Sequence, residues 1–151
     1  MCGPGFYVAP DQTAEVTMTD PGDQELMRSD AYAKLLGVEL VSVEEGHAVA
    51  RMELAEHHLN FMGGVHGGAI FSLADVAFAA ASNSEGHKAV AIHLAIDFLS
   101  APGDTPYLEA DVRKVARAGR TVHYDMRVTN SEGDLVGVCS GWSYHTDRPI
   151  A

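Results

Sequence analysis

The sequence predicts an α+β domain in which an antiparallel sheet of about six strands wraps round one long central helix. Three observations predict it. The residues from Gly67 to Asn83 are apolar almost all the way round, which marks a helix buried on most sides rather than an amphipathic surface helix. Four later segments alternate apolar and polar residues with the period of two expected of strands, and short connections of Gly, Pro, Asn and Asp join them. A chain of 151 residues with 46% hydrophobic content suits a single domain with its own core.

The elements follow in order. Residues 1–22 hold three prolines, several glycines and no sustained periodicity, and are expected to form a flexible N-terminal tail before a single domain over 23–148. Leu26, Met27, Ala31, Leu35 and Leu36 recur at helical spacing and predict a short helix over Asp23–Leu36, with Gly37 as its stop. Val38 to Val43 and His47 to Leu54 alternate around Glu44-Glu45-Gly46, the pattern of a hairpin. After the long helix come strands over Ala89–Leu99, Tyr107–Val115, Thr121–Thr129 and Leu135–His145. In the first of these Val90, Ile92, Leu94, Ile96 and Phe98 are expected on one face, and Asp97 on the other. A single sheet cannot cover an all-apolar helix, so the helix's open side and the sheet edges favour a dimer.

Composition excludes several classes of function. A formal charge of −11 argues against nucleic acid as the main partner, since phosphate backbones need a basic face. No run of about 18 apolar residues exists to span a membrane. The start lacks the basic-then-apolar order of a secretory signal, and two cysteines, Cys2 and Cys139, make no disulfide framework, so a cytoplasmic location is expected. Histidines 57, 58, 66, 87 and 93 lack metal-ligand spacing, so neither metal nor cofactor is expected. No Gly-x-Ser-x-Gly elbow marks a serine esterase.

The chemistry concentrates at Asn60-Phe-Met-Gly-Gly-Val-His66-Gly67-Gly68, which runs straight into the long helix with Asp75 in its middle. Glycines at a helix start let a ligand approach bare N–H groups at the positive end of the dipole. A carboxylate among Phe71, Leu73, Val76 and Phe78 carries a large desolvation cost unless it has partners or a task. His66 and Asp75 are nine positions apart, about 13 Å of rise and half a turn. One substrate carbonyl cannot readily touch both within a chain. If they act together, two helices lie side by side and a two-fold dimer carries two composite sites.

Asn60, His66-Gly67-Gly68 and Phe71-Ser72-Leu73-Ala74-Asp75, followed by Ile96-Asp97-Phe98-Leu99, resemble the hotdog-fold acyl-CoA thioesterases, most nearly the PaaI-type, phenylacetate-pathway branch. The resemblance covers about Ala31 to His145. It implies that Asp75 is the nucleophile or general base and that the Gly67 N–H polarises the thioester carbonyl, with Gly68 beside it. It further implies that Asn60 and His66 place the acyl group or the water. The partners implied are an acyl-CoA substrate and further copies of the chain, as a homodimer or a dimer of dimers.

Arg113, Lys114, Arg117 and Arg120 place four of the ten basic residues within eight positions. The resemblance makes the turn Arg117-Ala-Gly119-Arg120 a candidate holder of coenzyme A phosphates, which an arginine fork fits well. Bland alternatives stand beside each assignment: Asp75 as a structural carboxylate, His66 as a helix cap, the glycines as packing devices, Asn60 as a turn stabiliser. Two other functions compete with hydrolysis. A hotdog enoyl-CoA hydratase needs an Asp followed five positions later by His near a helix start, a pair missing here. A non-catalytic acyl-CoA-binding hotdog module tolerates loss of the carboxylate and usually carries a DNA-binding segment.

Overall fold

The computed structural model describes residues 20–150. The tail expected over 1–22 therefore lies almost wholly outside the described residues, Cys2 with it. Its end is corrected, because helix α1 (Pro21–Arg28) already starts at Pro21. The proline occupies the first helical turn, where no N–H is required, and Asp20 caps the helix by accepting from the Gly22 N–H at 2.8 Å.

The helix expected over Asp23–Leu36 is split in two. The Ser29 hydroxyl donates back to the Leu26 carbonyl, and the Asp30 carboxylate caps a new helix, α2 (Ala31–Leu35), by accepting from the Ala33 N–H. Short polar side chains that bond nearby backbone compete with a continuing helix, and here they win. Of the five apolar residues that suggested one helix, Leu26, Ala31 and Leu35 stay exposed.

The six strands are β1 (Val38–Glu44), β2 (His47–Glu53), β3 (His87–Phe98), β4 (Tyr107–Ala118), β5 (Thr121–Asn130) and β6 (Leu135–Pro149). They form one sheet, β1-β2-β4-β5-β6-β3, in which every neighbouring pair is antiparallel. The long helix α3 (Gly67–Asn83) lies against one face of it. Ala48, Ala50, Leu108, Val112, Val122 and Met126 meet Leu73, Ala77 and Phe78 in the core. The Phe78 and Tyr124 rings pack edge-on at 5.3 Å.

Gly141 sets how close α3 comes to β6. A Cβ there would stand 2.6 Å from Met126 Cε and 3.0 Å from the Phe78 ring. Gly141→Ala is therefore expected to destabilise the fold by about 1–3 kcal/mol, read as a lower urea midpoint at unchanged slope.

One expectation about faces needs correction. The β3 side chains Val90, Ile92, Leu94, Ile96 and Phe98 do not share one face. A register shift between Ala91 and His93 moves the phase, so Ala89 and Ala91 oppose the inward His145 and Ser143, while beyond it Leu94 and Ile96 oppose Gly141 and Cys139. Val90 pairs with the exposed Tyr144 on the outer side. The bulge absorbs one residue and flips the alternation. Asp97, opposite Val138, faces outward as its phase predicted.

The long helix keeps the open side that a single sheet leaves it. Gly68, Ser72, Asp75 and Ala79 form an open or half-open stripe one turn apart, flanked by Phe71 and Val76. Beside this stripe the edge strand β3 leaves Val90, Ile92 and Phe98 bare.

Candidate active site

The loop before α3 is a closed turn built by Asn60. Its N–H donates to the Gly64 carbonyl at 2.7 Å, and its carbonyl accepts from Gly63. Its side-chain Oδ1 accepts from the N–H groups of Met62 (2.9 Å) and Gly64 (3.3 Å). Gly63 takes φ +82, a conformation that side chains resist. Asn60 thus holds its own turn, although it also lines the cleft described below. Phe61, 97% exposed, and Met62 stand out from the tip.

His66 is the N-cap of α3. Its Nδ1 accepts from the Gly68 N–H at 2.8 Å, which places the ring proton on Nε2. Its carbonyl accepts from Ala69 and Ile70. The Gly67 N–H has no partner among the described residues. It is the free donor at the positive end of α3, while the Gly68 N–H is already taken by the cap. A Cβ at Gly67 would stand 3.1 Å from the half-exposed Phe98 ring, so a side chain there obliges that ring to shift.

Gly67 opens on a cleft of about 1200 Å³ between the 54–65 segment and the 98–105 segment. Leu54, Leu59, Val65, Ile70, Phe98 and Leu99 supply its apolar wall. A smaller apolar recess of about 430 Å³, with Phe71, Leu94 and Ile96, shares Gly67 and Phe98 with it. Phe78, one of the apolar residues around Asp75 in the sequence, is buried against Tyr124 and lines neither cavity. The 100–105 part of the wall escaped sequence reasoning because it carries no motif beyond turn residues.

Asp75 does not line this cleft. It sits half-buried on the open stripe of α3, with no hydrogen bond or ion pair among the described residues. Burial, with the nearby Asp30 carboxylate, pushes its carboxyl above the usual carboxylate range. One turn back, the Ser72 hydroxyl shares a 2.9 Å hydrogen bond with that of Tyr32. Within one chain the structure brings Asn60, Gly67 and the cleft together and leaves Asp75 about 12 Å along the helix.

The basic turn lies at the other end of α3, about 25 Å from Gly67 in the same chain. Arg117 pairs with Glu85, just beyond the helix, and Lys114 reaches the same carboxylate at 2.7 Å. Burial opposes the charge of Glu85, yet the two cations hold its carboxyl below the ordinary range. His145, buried beside them, is pushed toward the neutral form by that burial and by Arg117, and bonds Ser143 at 2.9 Å. Arg120 pairs with Asp147, which is 82% exposed. Gly119, at φ +62, makes the turn. Burial pushes the Cys139 thiol up to about 11, which leaves it unreactive. His58 is buried as a structural ring, with Nδ1 accepting from Ala55 and Nε2 donating to Leu36.

The profile of the thioesterase superfamily matches residues 62–136, from the glycine loop through α3 into β6. The acyl-coenzyme A thioesterase PaaI of Escherichia coli is 40% identical over 127 residues, 83% of this chain and 89% of that protein. The chain belongs to the thioesterase superfamily. The six-stranded antiparallel sheet and central helix are its hotdog fold. The solved structure of Escherichia coli PaaI, from the phenylacetic acid degradation operon, aligns with this thioesterase-superfamily chain at TM-score 0.78 and 37% identity, covering 84% of this chain and 92% of that one. The structure of a hypothetical thioesterase protein with coenzyme A from Streptococcus pneumoniae aligns at TM-score 0.74 and 25% identity, covering 83% of this chain and 98% of that one. In this thioesterase-superfamily chain, no helix among the described residues is long and apolar enough to cross a membrane.

Proposed function

We propose that the protein hydrolyses acyl-CoA thioesters to free acid and coenzyme A, at a site shared by two copies of the chain. One observation carries the reading: α3 presents an unpartnered amide at its first residue and an unpartnered carboxylate eight positions on, with an apolar cleft at the amide end. The thioester oxygen takes the Gly67 N–H, whose donor strength grows in value as the oxygen gains charge. Asp75 of the partner then acts in one of two ways. As base it removes a proton from water, whose oxygen adds to the carbonyl carbon; as nucleophile it adds directly and forms an anhydride that water opens. In both, the C–S bond breaks and the thiolate leaves to be protonated. The raised carboxyl of Asp75 suits the base role.

A two-fold arrangement with antiparallel α3 helices puts Gly67 of each copy opposite Asp75 of the other and covers the open stripe. The bare edge of β3 supports the same arrangement, because an unpaired apolar edge strand invites pairing with its own copy. The partner's 117–120 turn then comes to about 15 Å from Gly67, within reach of an extended coenzyme A arm. Arg117, Gly119 and Arg120 hold the nucleotide phosphates there. The Streptococcus pneumoniae structure with coenzyme A supports the choice of carrier. A second association of dimers, and a reducing cytoplasm that suits the free thiol of Cys139, complete the reading.

The test is a hydrolysis screen over aryl, short and long acyl-CoA esters with detection of free thiol. Release of thiol is expected, with aryl-acetyl or medium-chain esters favoured, and silence across the panel overturns the reading. Arg120→Ala is expected to raise KM for acyl-CoA about fivefold and to leave a short thioester lacking the nucleotide unaffected. Arg120 is the more informative of the pair, because its bond to an exposed Asp147 is easily exchanged for phosphate. Equal effects on both substrates overturn the phosphate role.

A further inference from the structure

The cleft beside Gly67 has a charge pattern that names the class of acyl group it accepts. Its wall is apolar, and among the described residues no lysine or arginine lines it. Glu56 and Asp104 do, one from each side, and neither carboxylate has a hydrogen bond or ion pair among the described residues. The hydroxyls that could greet an anion are turned away. Thr105 Oγ1 donates to the Tyr107 carbonyl and the Ser100 hydroxyl to that of Leu135. Among the side-chain donors of the lining, the Asn60 Nδ2 alone has no partner among the described residues, and it is neutral, held on a turn whose Oδ1 accepts from two backbone amides.

We infer that the cleft takes the acyl end of the substrate and rejects acyl groups that end in a carboxylate, with Glu56 and Asp104 as the specificity-determining residues. This rests on the hydrolase reading and deepens it. A distal carboxylate entering the cleft loses water, finds no cation, and meets two like charges. Each of these costs binding. An apolar acyl tail meets none of them and gains the wall of Leu54, Leu59, Ile70 and Leu99. The same charges keep the coenzyme A phosphates out, which fixes the direction of the substrate: acyl group toward residues 98–105, nucleotide toward the basic turn.

The experiment compares hexanoyl-CoA with adipoyl-CoA, which match in carbon number and differ by one terminal carboxylate. With the full chain, kcat/KM for adipoyl-CoA is expected to be at least about tenfold lower. In Glu56→Gln, Asp104→Asn and the double variant, the ratio of adipoyl-CoA to hexanoyl-CoA turnover is expected to rise, by about fivefold or more in the double variant. Both residues are exposed, so these isosteric changes leave the fold intact. Binding of the corresponding non-hydrolysable thioethers of coenzyme A, measured by calorimetry, gives the same comparison without catalysis. Loss of hydrolysis with the binding preference retained sinks the hydrolase reading and leaves this one standing. Equal handling of both tails by the unaltered protein, or a ratio that the double variant does not move, overturns it.

Discussion

Asp75→Asn is expected to lower thioester hydrolysis by at least about a hundredfold, the scale of losing a positioned base or nucleophile. KM should change far less than kcat, because the Gly67 amide and the cleft are untouched. Turnover near that of the unaltered enzyme would remove Asp75 from the mechanism. The unaltered enzyme's pH profile carries a second signature. Since burial and Asp30 push the Asp75 carboxyl up, activity should fade on the acid side at a pH above the ordinary aspartate range. Asp30→Asn keeps the α2 cap and removes the repelling charge, so that limb should move toward lower pH.

The same shift has a sign for stability. The folded protein holds the Asp75 proton to a higher pH than the unfolded chain does. The contribution to stability is therefore complete below the unfolded value and is lost as pH rises through the folded one. Asp75→Asn escapes that loss, so the variant should melt higher than the native chain at neutral pH and show no such gain in acid. A carboxylate that weakens the fold at neutral pH fits the reactive role proposed for Asp75 better than a structural one.

Mixing two dead variants should restore activity. Asp75→Asn subunits retain the Gly67 amide, and Gly67→Val subunits retain the carboxylate. Gly67→Val keeps its N–H but covers it with a branched side chain, so in a mixed dimer one of the two composite sites joins an open amide to a carboxylate and the other joins a blocked amide to an asparagine. Random assembly from equal amounts makes half the dimers mixed, so about a quarter of the native specific activity should return after co-expression or subunit exchange. Each variant alone should stay near background. No recovery, with mixed dimers shown to be present, would place both groups of a site in a single chain.

Much of this was legible before any coordinates. The span Gly67–Asn83 is read directly, because an all-round apolar run opened by His-Gly-Gly and closed near Gly86 admits few other endings. The strands of the sheet were placed to within a few residues by their alternation. Where alternation misled, the cause was local and invisible to periodicity. The bulge at Ile92 changes the phase of β3 without leaving any mark such as glycine or proline. Ser29 and Asp30 look like tolerable helix residues until their side chains are seen bonded to backbone.

The candidate site was legible in its residues and not in its neighbourhood. Asp75 could be singled out, yet Asp30 and Tyr32, which condition its surroundings, come from a helix more than forty positions away and share no motif with it. Arg117 and Arg120 read as free cations, whereas Glu85 and Asp147 occupy them in the folded chain. Such pairings depend on which strand ends meet, and topology decides that.

Phe71 stands midway between Gly67 and Asp75, four positions from each, on the open side of α3. If those two groups face each other across a symmetry axis, that axis passes beside Phe71, and its ring touches its own image. Any change of size there is counted twice at one spot and moves both reaction centres together. In that arrangement a single side chain on the axis would set the spacing of two reacting pairs, neither of which it touches.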